Sequence, residues 1–306
     1  MLVEAPQLLQ ALRLPAGSAV DFEPMSGRSG SVERASVSRP GAESLVVVLR
    51  AHSDPEQAEN HLAVMEALTN LGFPHAPRLL AAVDGVAVES WIEGATALAL
   101  VPPPGSCETA IDAIAALHEL PTREGLDWGH LPEELFPDED LPLHRLGFSA
   151  AEREPARGPL AGARAALLAS PFGFAHGDAT AATILLGRGQ AWLTDFRAAG
   201  FGPQLSDVAG FLLTSGLESA ERHALAARYA GRRGLSPDTA DLVDLLGIPW
   251  GIGELLRLPR RLITAFGDDA SVDTWKTAAG RIERGIRAPA GSHPVAAAIR
   301  AALWPS

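Results

Sequence analysis

The sequence predicts an α+β fold with two lobes, in which a small β-rich N-terminal lobe carries one main helix and a larger C-terminal lobe is mostly α-helical. Two observations predict this division. Short β-branched and apolar runs, interrupted by one long helical pattern, occupy the first third of the chain. Most of the remainder is rich in Ala, Leu and Arg at helical spacing. We expect the lobes of this 306-residue chain to span residues 1–92 and 93–306.

The N-terminal lobe is expected to place strands and turns around a single helix. Residues 26–31, Ser-Gly-Arg-Ser-Gly-Ser, suit a tight turn. Residues 45–49 are strongly β-branched and predict a strand. Residues 55–71, with Leu62, Met65, Leu68 and Leu71 at helical spacing, predict the main helix. Residues 78–94 predict a hairpin with an Asp-Gly turn.

The C-terminal lobe is expected to consist of helices around one hairpin. The helical segments are predicted at residues 108–120, 159–169, 219–232, 237–246, 250–265, 270–285 and 293–303. Two short apolar runs, residues 184–186 and 191–194, are separated by Gly-Arg-Gly-Gln. Glycines that flank a polar residue between such runs predict a β-hairpin.

This hairpin is expected to bring polar side chains together. If its turn centres near Arg188-Gly189, antiparallel pairing places Thr183 roughly opposite Asp195. Directly opposed residues have Cβ atoms about 4.5–5.5 Å apart. Asp178 lies in the loop that enters the first strand, at the same open end. A hydroxyl and two carboxylates therefore converge without any assumption about long-range folding.

Converging carboxylates raise one another's pKa unless a cation lies between them. Their hard oxygens suit Mg²⁺, which usually shares its coordination sphere between one or two carboxylates, water and substrate phosphate. The alternative is that His-Gly-Asp is an ordinary turn and that Asp195 caps a strand end. The ordered set at this spacing favours a site for a divalent metal and a phosphorylated ligand.

The same motifs occur in this order in a known family. They are His176-Gly-Asp, the hydrophobic hairpin, Asp195-Phe, Gly200-Phe-Gly-Pro and Asp207-Val-Ala. In them the chain resembles the aminoglycoside phosphotransferase and choline kinase-like family, which is similar to protein kinases in fold. The resemblance is specific over about residues 174–213, looser through the N-terminal third, and fades after about residue 215. It implies a bilobal protein kinase-like fold that uses ATP and Mg²⁺.

The resemblance also implies roles for residues of the C-terminal lobe. Asp178 would orient the acceptor hydroxyl and accept its proton, and Asp195 would bind Mg²⁺ that bridges the ATP phosphates. His176 and Asp207 would support the loop structurally. Thr183 stands where the family has a metal-binding Asn. A Thr hydroxyl can ligate Mg²⁺, but it is shorter than Asn and lacks the amide carbonyl.

In the N-terminal lobe the resemblance implies a nucleotide site. The Gly/Ser turn would lie over the phosphates through Gly27, Ser29, Gly30 and Ser31. Arg50 stands where these kinases place a strand cation that pairs with phosphate. Glu59 or Glu66 of the main helix could steady Arg50, and we favour Glu59. An exposed strand-end Arg and two solvated carboxylates are the plainer alternatives.

The strand that follows the main helix would become the hinge between the lobes. In the family the backbone of this strand would hydrogen-bond adenine, which here points to Ser90, Trp91 and Ile92. A Trp91 that serves only as core is the alternative.

Composition excludes several classes of function. The formal net charge of −12 argues against a nucleic-acid partner, whose phosphates call for a basic face. No apolar run approaches the roughly 18 residues that suggest a membrane span, and the first residues show no export signal. The single cysteine, Cys107, allows no intrachain disulfide, so we expect a cytoplasmic protein.

The acceptor is expected to be a small molecule with a hydroxyl group. An acidic surface would attract cationic ligands. The acidic stretch within residues 133–140 could line a pocket for an amine-bearing substrate, although a solvated loop is the plainer interpretation. In the region where such kinases add substrate-contacting helices, the candidates are Asp241, Asp244, Trp250 and Glu254.

We therefore expect an ATP-dependent phosphotransferase that moves the γ-phosphate to a hydroxyl of an aminoglycoside-, choline- or sugar-like molecule. Two alternatives stay open. A catalytically degenerate nucleotide-binding or scaffold protein would keep the fold and lose turnover, a reading that Thr183 motivates. An unrelated carboxylate–metal hydrolase would cleave phosphate esters without ATP and would give Arg50 no role.

Overall fold

The structure, a computed structural model, describes residues 2–25, 32–100, 105–121, 143–266 and 270–305. An antiparallel sheet with two helices is followed by a larger, mostly helical part. The predicted architecture, with a small β-rich N-terminal lobe and a helical C-terminal lobe, is therefore confirmed. The lobe boundary at residues 92 and 93 stays a prediction. Within the described residues no helix is both long and apolar enough to cross a membrane.

The N-terminal lobe is a five-stranded antiparallel sheet with strand order β1-β2-β3-β5-β4. Its elements are α1 (Ala5–Ala11), β1 (Ala19–Met25), β2 (Val32–Arg39), β3 (Ala42–Arg50), α2 (Pro55–Leu71), β4 (Leu79–Val83) and β5 (Val86–Ser90). Helix α1 was not predicted. Strand β3 pairs with β5. Arg50 lies opposite Ala87 in this pairing, and Glu89 is two residues further along β5.

Helix α2 begins and ends where its sequence provides caps. The side chain of Asp54 accepts hydrogen bonds from two amides of the first turn, Pro55 suits the first helical position, and Gly72 ends the helix with φ +67°. Its buried residues are His61, Val64, Met65 and Leu68, at helical spacing. The predicted apolar face of α2 differs from the buried one, because it included Leu71, which is 37% exposed, and omitted His61 and Val64.

The C-terminal lobe contains two small sheets, of strand order β6-β8-β9 and β10-β7, among seven helices in its described part. Its elements are β6 (Thr96–Ala97), α3 (Gly105–His118), α4 (Ala150–Leu168), β7 (Phe172–Ala175), β8 (Ile184–Gly187), β9 (Gln190–Leu193), β10 (Gly200–Pro203), α5 (Leu205–Thr214), α6 (Ser219–Arg232), α7 (Thr239–Phe266), α8 (Ala270–Arg287) and α9 (Pro294–Leu303). A 3₁₀ turn, Phe196–Ala198, lies between β9 and β10.

The predicted hairpin is present as β8 and β9, but its predicted register was wrong by one residue. Arg188 (φ +54°) and Gly189 (φ +77°) form the two-residue turn, as expected of a hairpin loop with both residues left-handed. Ile184 then pairs with Leu193, and the Thr194 amide donates to the Thr183 carbonyl. Thr183 therefore lies opposite Thr194 and not opposite Asp195.

Two predicted helix boundaries were also wrong, because prolines do not end these helices. The segments predicted at 237–246 and 250–265 form one continuous helix, α7, which begins at Thr239 and includes Pro249 and Pro259. Helix α4 begins at Ala150, nine residues before the predicted start, and contains two prolines. An interior proline costs about 3 kcal/mol. In α7, Ile248, Trp250 and Ile252 flank Pro249, and the burial of their side chains offsets that cost.

One hydrophobic core joins α2 to the C-terminal lobe. Met65 and Leu68 of α2 belong to the same buried cluster as Ile114 of α3, Leu193 of β9 and Phe196. A separate cluster lies between α1 and the five-stranded sheet. Helix α2 is thus packed on the segment that follows the β8–β9 hairpin, and this packing positions the site described next.

Candidate active site

The loop between β7 and β8 is held from behind by one carboxylate. Asp207, in the first turn of α5, accepts hydrogen bonds from the backbone amides of His176 (2.6 Å) and Gly177 (2.9 Å). Gly177 has φ +76°, a conformation that favours glycine. Two successive amides pointing at one buried carboxylate fix the direction in which the chain enters Asp178.

A second layer fixes that carboxylate. His118 of α3 lies 3.0 Å from Asp207 through Nε2 and 2.8 Å from the Tyr229 hydroxyl through Nδ1. Burial lowers the pKa of His118 against the opposing effect of Asp207, and burial raises the pKa of Tyr229. A neutral His118 donates from Nε2 to Asp207 and accepts at Nδ1 from the phenol. His118 is thus buried in a structural role.

The ring of His176 connects the loop to the end of β9. Its Nε2 donates to the Thr194 carbonyl (3.0 Å) and its Nδ1 accepts from the Asp178 amide (3.3 Å). The ring also packs on Phe196, with ring centroids 4.7 Å apart. His176 is fully buried, so these contacts tie the segments that carry Asp178 and Asp195 to each other.

Asp178 and Asp195 face one site, in which a single guanidinium contacts both. Nη2 of Arg197 lies 3.2 Å from Asp178 Oδ2, and Nη1 lies 3.5 Å from Asp195 Oδ2. The three side chains are at most 10% exposed. Asp195 has φ +68° and ψ +60°, a left-handed conformation that costs a non-glycine residue about 1 kcal/mol or more. Sequence reasoning missed Arg197, although a cation next to converging carboxylates is what their charge requires.

The hydroxyl of Thr183 is used inside the loop. It donates to the Asp178 carbonyl (2.8 Å) and accepts from the Thr180 amide (3.0 Å). The predicted position of Thr183 across from Asp195 was wrong, as the hairpin register shows. The hydroxyl thus closes the turn that carries Asp178, which is a structural use of this side chain.

The strand cation of the N-terminal lobe pairs with a different residue from the one predicted. Arg50 Nε donates to Glu89 Oε1 on β5 at 2.9 Å, and Glu89 is 2% exposed. Glu59 is exposed on α2, because the buried face of that helix carries His61 instead. The favoured Arg50–Glu59 pair was therefore wrong. Burial would raise the pKa of Glu89, but Arg50 and His61 lower it to about 2.

Two histidines stand between this ion pair and Asp195. His61 Nε2 lies 2.9 Å from Glu89 Oε1, and the ring of His52 packs edge-on against His61 at 4.9 Å. His52 Nε2 lies 4.0 Å from Asp195 Oδ1. Burial, together with the neighbouring His61, lowers the pKa of His52 to about 4 against the opposing effect of Asp195. His52 is consequently neutral near pH 7.

The predicted hinge residues lie at the end of β5. The Ser90 amide donates to the Arg78 carbonyl (2.9 Å), just before β4, so this amide already has a partner within the lobe. Trp91 lies under the guanidinium of Arg34, 5.1 Å from its ring centroid. Ile92 is buried and close to Gly187 of β8. The Gly/Ser turn (Gly27, Ser29, Gly30 and Ser31) and the acidic stretch at residues 133–140 lie outside the described residues.

The residues expected to contact substrate lie among the helices of the C-terminal lobe. Asp241 accepts hydrogen bonds from the Ser292 amide (2.8 Å) and hydroxyl (3.0 Å), which fix the connection from α8 to α9. Asp244 forms a two-point ion pair with Arg300. Trp250 is buried beside Gly210 of α5, and Glu254 lies 3.3 Å from Arg257. Asp244, Trp250 and Glu254 are buried and Asp241 is half-buried, and each of the four contacts other residues of its own lobe. Their contact with a substrate stays a prediction.

The donor set fits Mg²⁺ by its chemistry. Among the described residues no group of three or more His, Cys, Asp or Glu side chains could hold a metal by itself. Two carboxylates, those of Asp178 and Asp195, face the site. Mg²⁺ is usually bound in this way, by one or two carboxylates with waters and substrate phosphates completing the octahedron.

One family model and several solved structures are similar to this chain. The model of the Phosphotransferase enzyme family matches residues 26–243. A choline/ethanolamine kinase family protein from Mesorhizobium loti is similar in structure, with a TM-score of 0.66 and 20% identity over 95% of this chain and 97% of that one. No curated protein sequence matches the chain.

Two further solved structures share the fold. Macrolide 2′-phosphotransferase type I has a TM-score of 0.59 and 17% identity over 90% of this chain and 98% of that one. LicA, solved in complex with AMP, has a TM-score of 0.54 and 15% identity over 92% and 97% of the two chains. At such identities the likeness is one of fold.

Proposed function

The chain belongs to the Phosphotransferase enzyme family, and from this premise we propose that it is an ATP-dependent kinase that phosphorylates a hydroxyl group of a small molecule. One observation carries the proposal. Asp178 and Asp195, which lie on different segments, face one buried site and share the guanidinium of Arg197. Phosphoryl transfer depends mainly on positioning and charge neutralisation, and these residues supply both.

The proposed roles follow from the contacts. Asp178, held by the Asp207-anchored loop, orients the acceptor hydroxyl and takes its proton. Asp195 would hold Mg²⁺, which would neutralise charge on the phosphates when bound. Arg50, which Glu89 orients, would contact a phosphate. The AMP-bound relative LicA supports a nucleotide as the phosphoryl donor.

The acceptor class is proposed from charge and from relatives. The net charge of −12 would favour a cationic small molecule. The related proteins include a choline/ethanolamine kinase family member and a macrolide phosphotransferase. We therefore propose an aminoglycoside-, choline- or sugar-like alcohol, acted on in the cytoplasm, with no nucleic-acid or membrane partner.

A second candidate function is a nucleotide-binding protein without turnover. Thr183 is the observation that favours it, because its hydroxyl closes the loop and it has no amide carbonyl to offer a metal. Under this alternative the protein binds ATP but transfers no phosphate.

The test is ADP formation from ATP and Mg²⁺ across a panel of aminoglycosides, choline-like amines, macrolides and sugars. We expect at least one acceptor to stimulate ADP release, and Asp178→Asn to lower that turnover by about 10²-fold or more. Asp84→Asn, an exposed hairpin-turn residue, is the matched control and should keep wild-type turnover. Nucleotide binding without transfer to any acceptor would favour the second candidate, and phosphate-ester cleavage without ATP would favour a hydrolase.

A further inference from the structure

Two neighbouring residues of α2 hold the segment that follows Asp195. The side-chain amide of Asn60 donates to the carbonyls of Arg197 and Ala199, both at 2.9 Å. Nδ1 of His61 accepts from the backbone amide of Phe196 at 3.1 Å. A helix of the N-terminal lobe thereby makes three hydrogen bonds to the chain immediately after a proposed metal ligand.

The other side of the His61 ring contacts the ion pair. Nε2 lies 2.9 Å from Glu89 Oε1, and the same oxygen accepts from Arg50 Nε at 2.9 Å. His61 is 1% exposed, so water cannot replace either contact. The two partners fix its tautomer: Nε2 carries the hydrogen that bonds the carboxylate, and Nδ1 accepts from the amide.

We infer that His61 is a positioning residue, which couples the Arg50–Glu89 pair to the Asp195–Phe196 segment across the two lobes. The inference rests on the proposed kinase function. Glu89 orients Arg50 toward the site, and the Phe196 amide fixes the backbone from which the Asp195 carboxylate projects. Because one rigid ring bonds both partners, the orientations of Arg50 and of the Asp195 carboxylate depend on the same placement of α2.

Two amide substitutions can separate the two contacts. The carbonyl oxygen of an Asn lies close to the place of a His Nδ1, and the amide nitrogen of a Gln lies close to the place of a His Nε2. His61→Asn therefore keeps an acceptor for Phe196 and loses the donor to Glu89. His61→Gln keeps the donor to Glu89 and loses the acceptor for Phe196.

The experiment is calorimetric titration of ATP in the presence of EDTA and in the presence of Mg²⁺. For His61→Asn we expect metal-free ATP affinity to fall about tenfold, the effect of one hydrogen bond, while Mg²⁺ tightens binding by the wild-type factor. For His61→Gln we expect metal-free affinity within about twofold of wild type and a loss of about tenfold in the Mg²⁺ effect. Glu59→Gln, an exposed change on the same helix, should match wild type in both titrations.

Hydrogen exchange at the Phe196 amide tests the same coupling without any ligand. Exchange should be faster in His61→Gln and unchanged in His61→Asn, provided that both variants retain the wild-type circular dichroism spectrum. Identical exchange in the two variants, or identical ATP titrations, would overturn the inference. A wild-type protein that binds no ATP in either titration would instead overturn the proposed function, so the two failures can be told apart.

Discussion

The guanidinium of Arg197 lies 3.2 Å from the carboxylate of Asp178, inside a site where both side chains are less than 10% exposed. The backbone of Arg197 is itself held by Asn60 of α2. Both residues belong to the C-terminal lobe, but the backbone of Arg197 is bonded to a helix of the N-terminal lobe, so the contact between their side chains depends on how α2 packs.

Replacing Arg197 with Met should lower turnover. A hydrogen bond to a charged group contributes about 1.5–3 kcal/mol, which corresponds to about 10–100-fold in rate if it orients Asp178 in the transition state. Steady-state kinetics at saturating ATP and Mg²⁺ measure this effect. Arg188→Met at the hairpin turn, where an exposed ion pair is removed, should leave kcat unchanged. Wild-type kcat in Arg197→Met would show that Asp178 needs no such contact.

Replacing Thr183 with Val should weaken folding and leave the metal requirement unchanged. The hydroxyl bonds both the Asp178 carbonyl and the Thr180 amide. Each of these buried backbone groups, if left without a partner, costs about 1–3 kcal/mol. Urea unfolding and the Mg²⁺ dependence of turnover measure the two effects. Thr109→Val, which removes a hydroxyl bonded within its own helix, should be nearly neutral. An unchanged stability with a raised Mg²⁺ requirement would make Thr183 a metal ligand.

The buried Glu89 should make stability depend on pH in the acid range. Its pKa is about 2 in the folded protein and 4.5 as the ordinary value. Since the folded pKa is the lower one, the ionised Glu89 adds about 3 kcal/mol to the free energy of unfolding above pH 4.5. This stabilisation is lost as pH falls toward 2. The free energy of unfolding of wild type minus that of Glu89→Gln should therefore shrink between pH 5 and pH 3.

The control for this prediction is Glu93→Gln, which removes a carboxylate whose side chain is 79% exposed. Its difference from wild type should stay within about 0.5 kcal/mol at every pH. A wild-type to Glu89→Gln difference that does not change with pH would mean that Glu89 has no lowered pKa in the folded state.

Sequence reasoning worked where the determinants are local. The motif residues and the hairpin were found because turn chemistry and alternating apolar runs act within about ten residues. The predicted register was still wrong by one residue. A turn with Arg188 and Gly189 at its centre pairs Thr183 with Thr194, whereas the prediction paired Thr183 with Asp195.

The partner of Arg50 could not be found by the same means. Which side chain of α2 points inward depends on the rotation that buries Val64, Met65 and Leu68, and the sequence also offered Leu62 and Leu71 for that face. His61 stands three residues before Val64, and this helical spacing would have placed it on the buried face. Glu89 arises from the β3–β5 pairing, which is a tertiary contact between strands distant in sequence.

The most direct test of the account is the effect of Mg²⁺ on ATP affinity in Asp178→Asn and Asp195→Asn. If both carboxylates face one magnesium–nucleotide site and Asp195 is the principal ligand, Mg²⁺ should tighten ATP binding in wild type and in Asp178→Asn. It should do so much less in Asp195→Asn. An Asp195→Asn protein in which Mg²⁺ tightens ATP binding as much as in wild type would contradict the account.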